Sequence, residues 1–102
     1  MAPKRAVMMH PLDNVATTVE PVKAGEEVAV PSAGSTLTVR AGEEIPFGFK
    51  IALTDIPRGE IIRKYGATIG RASAAIATGA LVHIHNLEGT RARGDLEGRG
   101  KE

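Results

Sequence analysis

Apolar and polar residues alternate along this chain in short runs. Val15, Thr17 and Val19 share one side of "NVATTVE", and Leu37 and Val39 alternate with Thr36, Thr38 and Arg40 in "TLTVR". Ile51 and Leu53 alternate in "KIALT", as do Val82 and Ile84 in "LVHIH". A period of two in segments rich in Val, Ile and Thr predicts half-buried strands. Twelve glycines and six prolines interrupt every long window. The best helical candidate, "RASAAIATGA", is Ala-rich but short and has no apolar stripe, so at most one or two helical turns are expected there.

A weak internal repeat runs through the same segments. The pattern Val/Ile-x-x-Gly-x-x-apolar occurs as "VKAGEEV" (22–28), "IPFGFKI" (45–51), "IPRGEII" (56–62) and "IATGALV" (76–82). An apolar anchor, a turn, a glycine and a restarting strand follow in that order. Glycine suits a turn position with positive φ, and Pro46 and Pro57 are expected to preset the first dihedral of their turns. Any β-rich chain with this much glycine yields some such matches, but four before plausible strands predict one domain of short strands that turn sharply and often. The spacing is too irregular for a solenoid.

Length and composition narrow the classes. A chain of 102 residues fits one small domain with little room for a deep site. Aromatics make up only 3%, namely Phe47, Phe49 and Tyr65, which argues against a stacking platform for single-stranded nucleic acid. Thirteen Lys and Arg against twelve Asp and Glu leave a net charge of +1, without a general pull towards nucleic acid or anionic lipid. The absence of cysteine excludes disulfides, cysteine-based zinc sites and thiol catalysis. The apolar run Ala6–Met9 is too short for a signal peptide and nothing approaches a membrane span, so the expected address is cytoplasmic. The last residues, "EGTRARGDLEGRGKE", mix glycine with cancelling charges and predict a flexible tail. Its "RGD" is a three-letter string too common to carry an adhesion function.

Candidate chemistry gathers at three places. On a strand, His83 and His85 would point the same way with Cα atoms about 6.5–7 Å apart, while Val82 and Ile84 faced the core. Two imidazoles fall short of the three or four ligands a metal needs, and His10 and Asp13 in "HPLDN" are the candidates to complete a set. A solvated pair of histidines on a polar strand face is the plain alternative. Asp13 and Asn14 suit a turn in which short side chains bond their own backbone. Lys50, followed by Asp55 in "FKIALTDI", has the charge to bind a carboxylate or phosphate, although a lone strand lysine is usually solvated. No Ser-His-Asp set, P-loop or dinucleotide fingerprint is present, so no catalytic residue is assigned.

Together, "HPLDNVA" and "IPFGFKIALTDIPRGEIIRKYGATIGRASAAIATGALVHIHNL" resemble the small SAF domain of altronate and galactarate dehydratases. Sulfolactate sulfo-lyases carry a similar module as a separate small subunit. The resemblance covers residues 10–87 and extends into "RARGDL". It implies an all-β, compact β-clip fold of short twisted strands, with residues 1–9 as a lead-in strand, 10–87 as the SAF domain and 88–102 as the tail. It also implies a much larger catalytic polypeptide as partner and a hydroxy-acid substrate. A divalent metal, iron or manganese, would belong to that partner, with no cofactor in this chain and no activity of the chain alone. Lys50, Asp13, Asn14 and Asn86 become candidates for lining a shared active site, with His83, His85 and His10 as metal candidates. Where the family pattern reads Gly-His-Lys, this chain has Gly48-Phe49-Lys50, which puts a carried-over role at position 49 in doubt. Three alternatives stay open: a stand-alone sugar-acid binding module, a purely structural subunit, and a sulfolactate sulfo-lyase small subunit. Homo-oligomerisation also stays open.

Overall fold

A computed structural model describes residues 2–32 and 34–89. These residues form nine strands and no helix. The strands are β1 (Lys4–Val7), β2 (Val15–Thr18), β3 (Glu27–Ser32), β4 (Ser35–Arg40), β5 (Lys50–Ala52), β6 (Ile61–Lys64), β7 (Ala67–Ala72), β8 (Leu81–Val82) and β9 (Leu87–Gly89). "RASAAIATGA" forms the end of β7 and a turn, not a helix. The tail lies outside the described residues beyond Gly89.

The strands make two sheets. One has six strands in the order β4-β3-β1-β2-β5-β8, and the other has three in the order β6-β7-β9. All pairings are antiparallel except β1 with β3. The middle of the larger sheet is covered on both faces. Across it, Val15 pairs with Ala52 and faces one core with Val82, Ile56, Ile62 and Ile76. Ala16 pairs with Ile51 and faces the other core with Val28, Val30 and Ile45. This is why "VATT" and "KIAL" are buried at successive positions, where simple alternation predicts one wet face.

The four glycine repeats are one structural unit used four times. Each begins with a small buried residue (Thr18, Ala41, Ala52 or Ala72). Four residues later comes the apolar anchor (Val22, Ile45, Ile56 or Ile76), and three after that the glycine (Gly25, Gly48, Gly59 or Gly79). All four glycines have φ between 85° and 89°. The carbonyl two residues before each glycine accepts from the N–H one residue after it, at 3.0–3.1 Å. This is the geometry of a type II turn, with glycine at the position that requires positive φ. Pro46 and Pro57 therefore occupy the first position of their turns, not the second as expected, and supply the accepting carbonyl.

The units pair two by two. Val22 and Ile45 exchange both backbone hydrogen bonds, while Gly25 donates to Ala41 and Gly48 to Thr18. Ile56 and Ile76 exchange theirs, while Gly59 donates to Ala72 and Gly79 to Ala52. The Gly42 N–H donates to the Gly79 carbonyl at 2.9 Å, joining the two pairs. Each anchor thus reaches its core with its backbone polar groups satisfied, as burial demands.

Candidate functional site

Asp13 and Asn14 sit just before β2, where the Asp13 N–H donates to the His10 carbonyl and closes a turn. The turn is as expected, but the side chains do not bond their own backbone. Asp13 is 7% exposed, and its two oxygens accept the N–H groups of Tyr65 at 2.9 Å and Gly66 at 2.7 Å. These two residues form the β6–β7 turn with φ of 59° and 75°. Tyr65 is the one non-glycine residue with positive φ among those described, and the carboxylate holds it there. The Asn14 amide behaves like a peptide group. Its nitrogen donates to the Ile61 carbonyl at 2.9 Å and its oxygen accepts the Arg63 N–H at 2.8 Å. The outer edge of β6 is thereby tied to the larger sheet. Both residues are fasteners between sheets.

The histidine segment departs from its expected shape. β8 ends at Val82, and residues 83–86 form a turn before β9. Asn86, 8% exposed, makes that turn: its oxygen accepts the His83 N–H at 2.9 Å and its amide donates to the Leu81 carbonyl at 2.9 Å. The Asn86 N–H closes the turn on the His83 carbonyl. Val82 is buried as expected, but Ile84 is 81% exposed at the tip and does not face the core. His83 and His85 therefore do not stand side by side on a strand. The half-buried His83 ring packs on Phe49, with centroids 4.6 Å apart and planes at 55°, while His85 is exposed. Phe49 itself packs against the core of Val28, Val30 and Ile45. His10 lies elsewhere, its ring filling the space above Gly66 where a Cβ would collide with it, and its Nδ1 accepting the Leu12 N–H. Among the described residues, no three His, Cys, Asp or Glu side chains gather closely enough to hold a metal ion. The expected histidine set does not converge.

Lys50 begins β5, opposite Thr17 on one side and Val82 on the other. Its ammonium is held below the ordinary lysine value of 10.5, first by burial and then by the charge of Lys64. No carboxylate lies within ion-pair distance of it among the described residues, where Arg5 and Glu20 make the ion pair seen, at 3.6 Å. The Thr17 hydroxyl beside it is buried and has no hydrogen-bond partner. Lys64 ends β6 with its Nζ 4.9 Å from the centre of the Tyr65 ring. Asp55 is accounted for by structure: Thr78 donates to it through its N–H at 2.9 Å and hydroxyl at 2.8 Å, bonds that lower its pKa.

A shallow cleft of about 380 Å³ opens beside the Asp13–Asn14 turn, lined by Met8, Pro11, Ser32, Leu37, Leu53 and Thr54 among others. Lys50, His83 and His85 do not line it. Sequence reasoning passed over Thr17, Lys64 and Tyr65. "KYGA" flanked by strands carries a signal for a two-residue hairpin turn, but nothing local announces that Thr17 stands beside Lys50.

Comparison with known proteins places this arrangement. Residues 4–90 match the family described as the altronate/galactarate dehydratase SAF domain. The chain is 44% identical over 80 residues to an altronate dehydratase of Escherichia coli, covering 78% of this chain and 15% of that protein. It is 35% identical over 85 residues to an altronate dehydratase of Bacillus subtilis, covering 83% of this chain and 16% of that protein. It is also 33% identical over 88 residues to the (2R)-sulfolactate sulfo-lyase subunit alpha of Chromohalobacter salexigens, covering 82% of this chain and 94% of that subunit. The chain thus spans about a sixth of the dehydratases it matches and nearly all of the sulfo-lyase subunit.

Proposed function

This chain belongs to the SAF-domain family of altronate and galactarate dehydratases, and from that premise we propose that it is the small subunit or N-terminal-type domain of a lyase acting on sugar acids or related hydroxy acids. It completes the active site of a larger catalytic polypeptide. The observation that carries this reading is the family match over residues 4–90, with relatives in which the matched stretch is one part of an altronate dehydratase or nearly the whole of a sulfo-lyase subunit. The chemistry supports the same division. Asp13, Asn14 and Asn86 are committed to holding the fold together. Among the candidates, that leaves Lys50, His83, His85 and His10 to reach a shared site.

Elimination from a hydroxy acid needs a base to take the proton beside the carboxylate while the neighbouring group departs. The enol that remains becomes a 2-oxo acid. The larger chain provides the base and the divalent metal. The described residues of this chain offer no ligand set for an ion, so no metal-borne step is assigned to them. This domain covers the site, excludes water and presents polar side chains at its mouth.

Whether water or sulfite leaves is a matter of the partner. Reconstitution of this chain with the large chain of the same cell, assayed on aldonates, aldarates and sulfolactate, separates the two by detecting 2-oxo acid with or without sulfite. No turnover on any of these acids would overturn the lyase assignment. Turnover that is unchanged when His83 and His85 are both alanine would remove the histidines from the site.

A further inference from the structure

Two large apolar side chains stand in water on turns that the fold holds in place. Phe47 is 65% exposed and Ile84 is 81% exposed. A lone exposed apolar residue needs no explanation, but these two are placed alike. Phe47 occupies the tip of the second glycine turn, between Pro46 and Gly48. The equivalent positions of the other three turns hold Ala24, Arg58 and Thr78, so the turn itself does not call for a phenylalanine. The Thr18 hydroxyl donates to the Pro46 carbonyl at 2.8 Å and pins this turn to β2. Ile84 tops the turn that the Asn86 side chain fastens through His83 and Leu81. The two turns are neighbours, because the rings of Phe49 and His83 lie 4.6 Å apart, just beyond the pairing of Lys50 with Val82. Consecutive Cα atoms are about 3.8 Å apart, so the Cα of Phe47 is within about 7.6 Å of that of Phe49, and Ile84 is one residue from His83. Both anchors thus lie at one end of the β5–β8 pair, interleaved in the chain with Lys50, His83 and His85.

We propose that Phe47 and Ile84, with the half-buried Phe49–His83 contact beside them, form the docking surface for the larger catalytic chain, an inference that rests on the lyase function proposed above. Apolar anchors held on fastened turns lose little conformational freedom on binding, which favours them as interface hot spots. The charge of the surface selects its occupant. Residues 45–50 and 81–87 contain one lysine and two histidines and no Asp or Glu. The Glu43 carboxylate that reaches β8 is taken up by the Leu81 N–H at 2.9 Å. A two-fold contact with a second copy would set this surface against itself, with like charges facing. A recess of the larger chain lined by apolar side chains and rimmed by carboxylates complements it. Docking of this kind carries Lys50, His83 and His85 to the partner together with the anchors.

The test measures the affinity of the 102-residue chain for the large chain of the same cell by isothermal titration calorimetry. Phe47→Ser and Ile84→Ser should each weaken it about tenfold or more while the variants stay folded by circular dichroism. Leu12→Ser, at a residue 65% exposed in the His10–Asp13 turn, should leave affinity unchanged. Wild-type binding that neither Phe47→Ser nor Ile84→Ser weakens, or that Leu12→Ser weakens equally, would overturn the docking surface and leave the lyase reading standing. A wild-type chain that does not bind the large chain would overturn the lyase reading and, with it, the proposed occupant. Affinity should fall as salt is raised, and an affinity indifferent to salt would overturn the carboxylate rim. Sedimentation equilibrium of the chain alone covers the other occupant: a wild-type dimer that Ile84→Ser dissociates would assign the surface to a second copy and overturn its assignment to the large chain.

Discussion

Asp13→Asn is the substitution that best separates a fastener from a substrate contact. The change conserves shape and removes one acceptor. Both carboxylate oxygens accept backbone N–H groups, from Tyr65 at 2.9 Å and Gly66 at 2.7 Å, in a site only 7% exposed. An asparagine can satisfy one of these donors, but its NH₂ must then face the other, donor against donor. A hydrogen bond to a charged group contributes about 1.5–3 kcal/mol, and a buried donor left unsatisfied costs about 1–3 kcal/mol. A loss of about 2–3 kcal/mol is expected, a large share of the roughly 5–15 kcal/mol that holds a domain folded. At about 4–8 °C per kcal/mol for a domain of this size, Tm should fall by about 10–20 °C. Thermal unfolding followed by circular dichroism measures this, and hydrogen exchange at Tyr65 and Gly66 locates it. A Tm lowered by less than about 3 °C, with exchange at both amides unchanged, would refute the role of Asp13 as a fastener.

Other substitutions test the remaining structure. Gly25 and Gly79 both have φ of 88°, but a Cβ at Gly25 meets open space whereas one at Gly79 overlaps the Arg40 carbonyl oxygen. Gly25→Ala should cost about 1–2 kcal/mol for the left-handed backbone, and Gly79→Ala clearly more in the same denaturant titration; equal costs would contradict the contact between the paired units. Ile84→Ser should change stability by no more than about 0.5 kcal/mol, whereas Ile45→Ala should cost about 2–5 kcal/mol, and a reversal would return Ile84 to the core. Lys50→Met should stabilise the chain near neutral pH, because it removes an ammonium that burial and Lys64 disfavour. The sign of the pH effect follows: the folded lysine loses its proton at lower pH than the unfolded one, so the wild type gains stability as pH rises through the window below 10.5. The advantage of Lys50→Met should therefore shrink as pH rises towards 10.5, and an advantage that grew would refute the cause assigned to the shift.

The strands and the four turns were legible in the sequence because their causes are local. A glycine at positive φ and a β-branched anchor three residues before it mark each unit without knowledge of the fold. The burial of successive residues in β2 and β5 was not legible, since it depends on a second core arriving on the other face. "LVHIHN" misled because alternation there is a coincidence of composition: the Asn86 side chain captures the His83 N–H and turns the chain where a strand was expected. Asp13 and Asn14 were correctly placed at a turn, but their partners lie in a hairpin far along the chain. Membership of the family was carried by strings such as "KIALTDIP" and "YGATIGRA", most of which encode the turns and the sheet junction. Those strings identify the fold more surely than any catalytic role. No helix among the described residues is long and apolar enough to cross a membrane.

The proposed dependence of a lyase on this chain is the point on which the account stands or falls. The large chain, purified alone, is titrated with the 102-residue chain while elimination from its hydroxy acid is followed. The account predicts negligible turnover by either chain alone and a rise in kcat/KM that saturates at a fixed ratio of the two. Full activity of the large chain in its absence, or turnover by this chain alone, would contradict it.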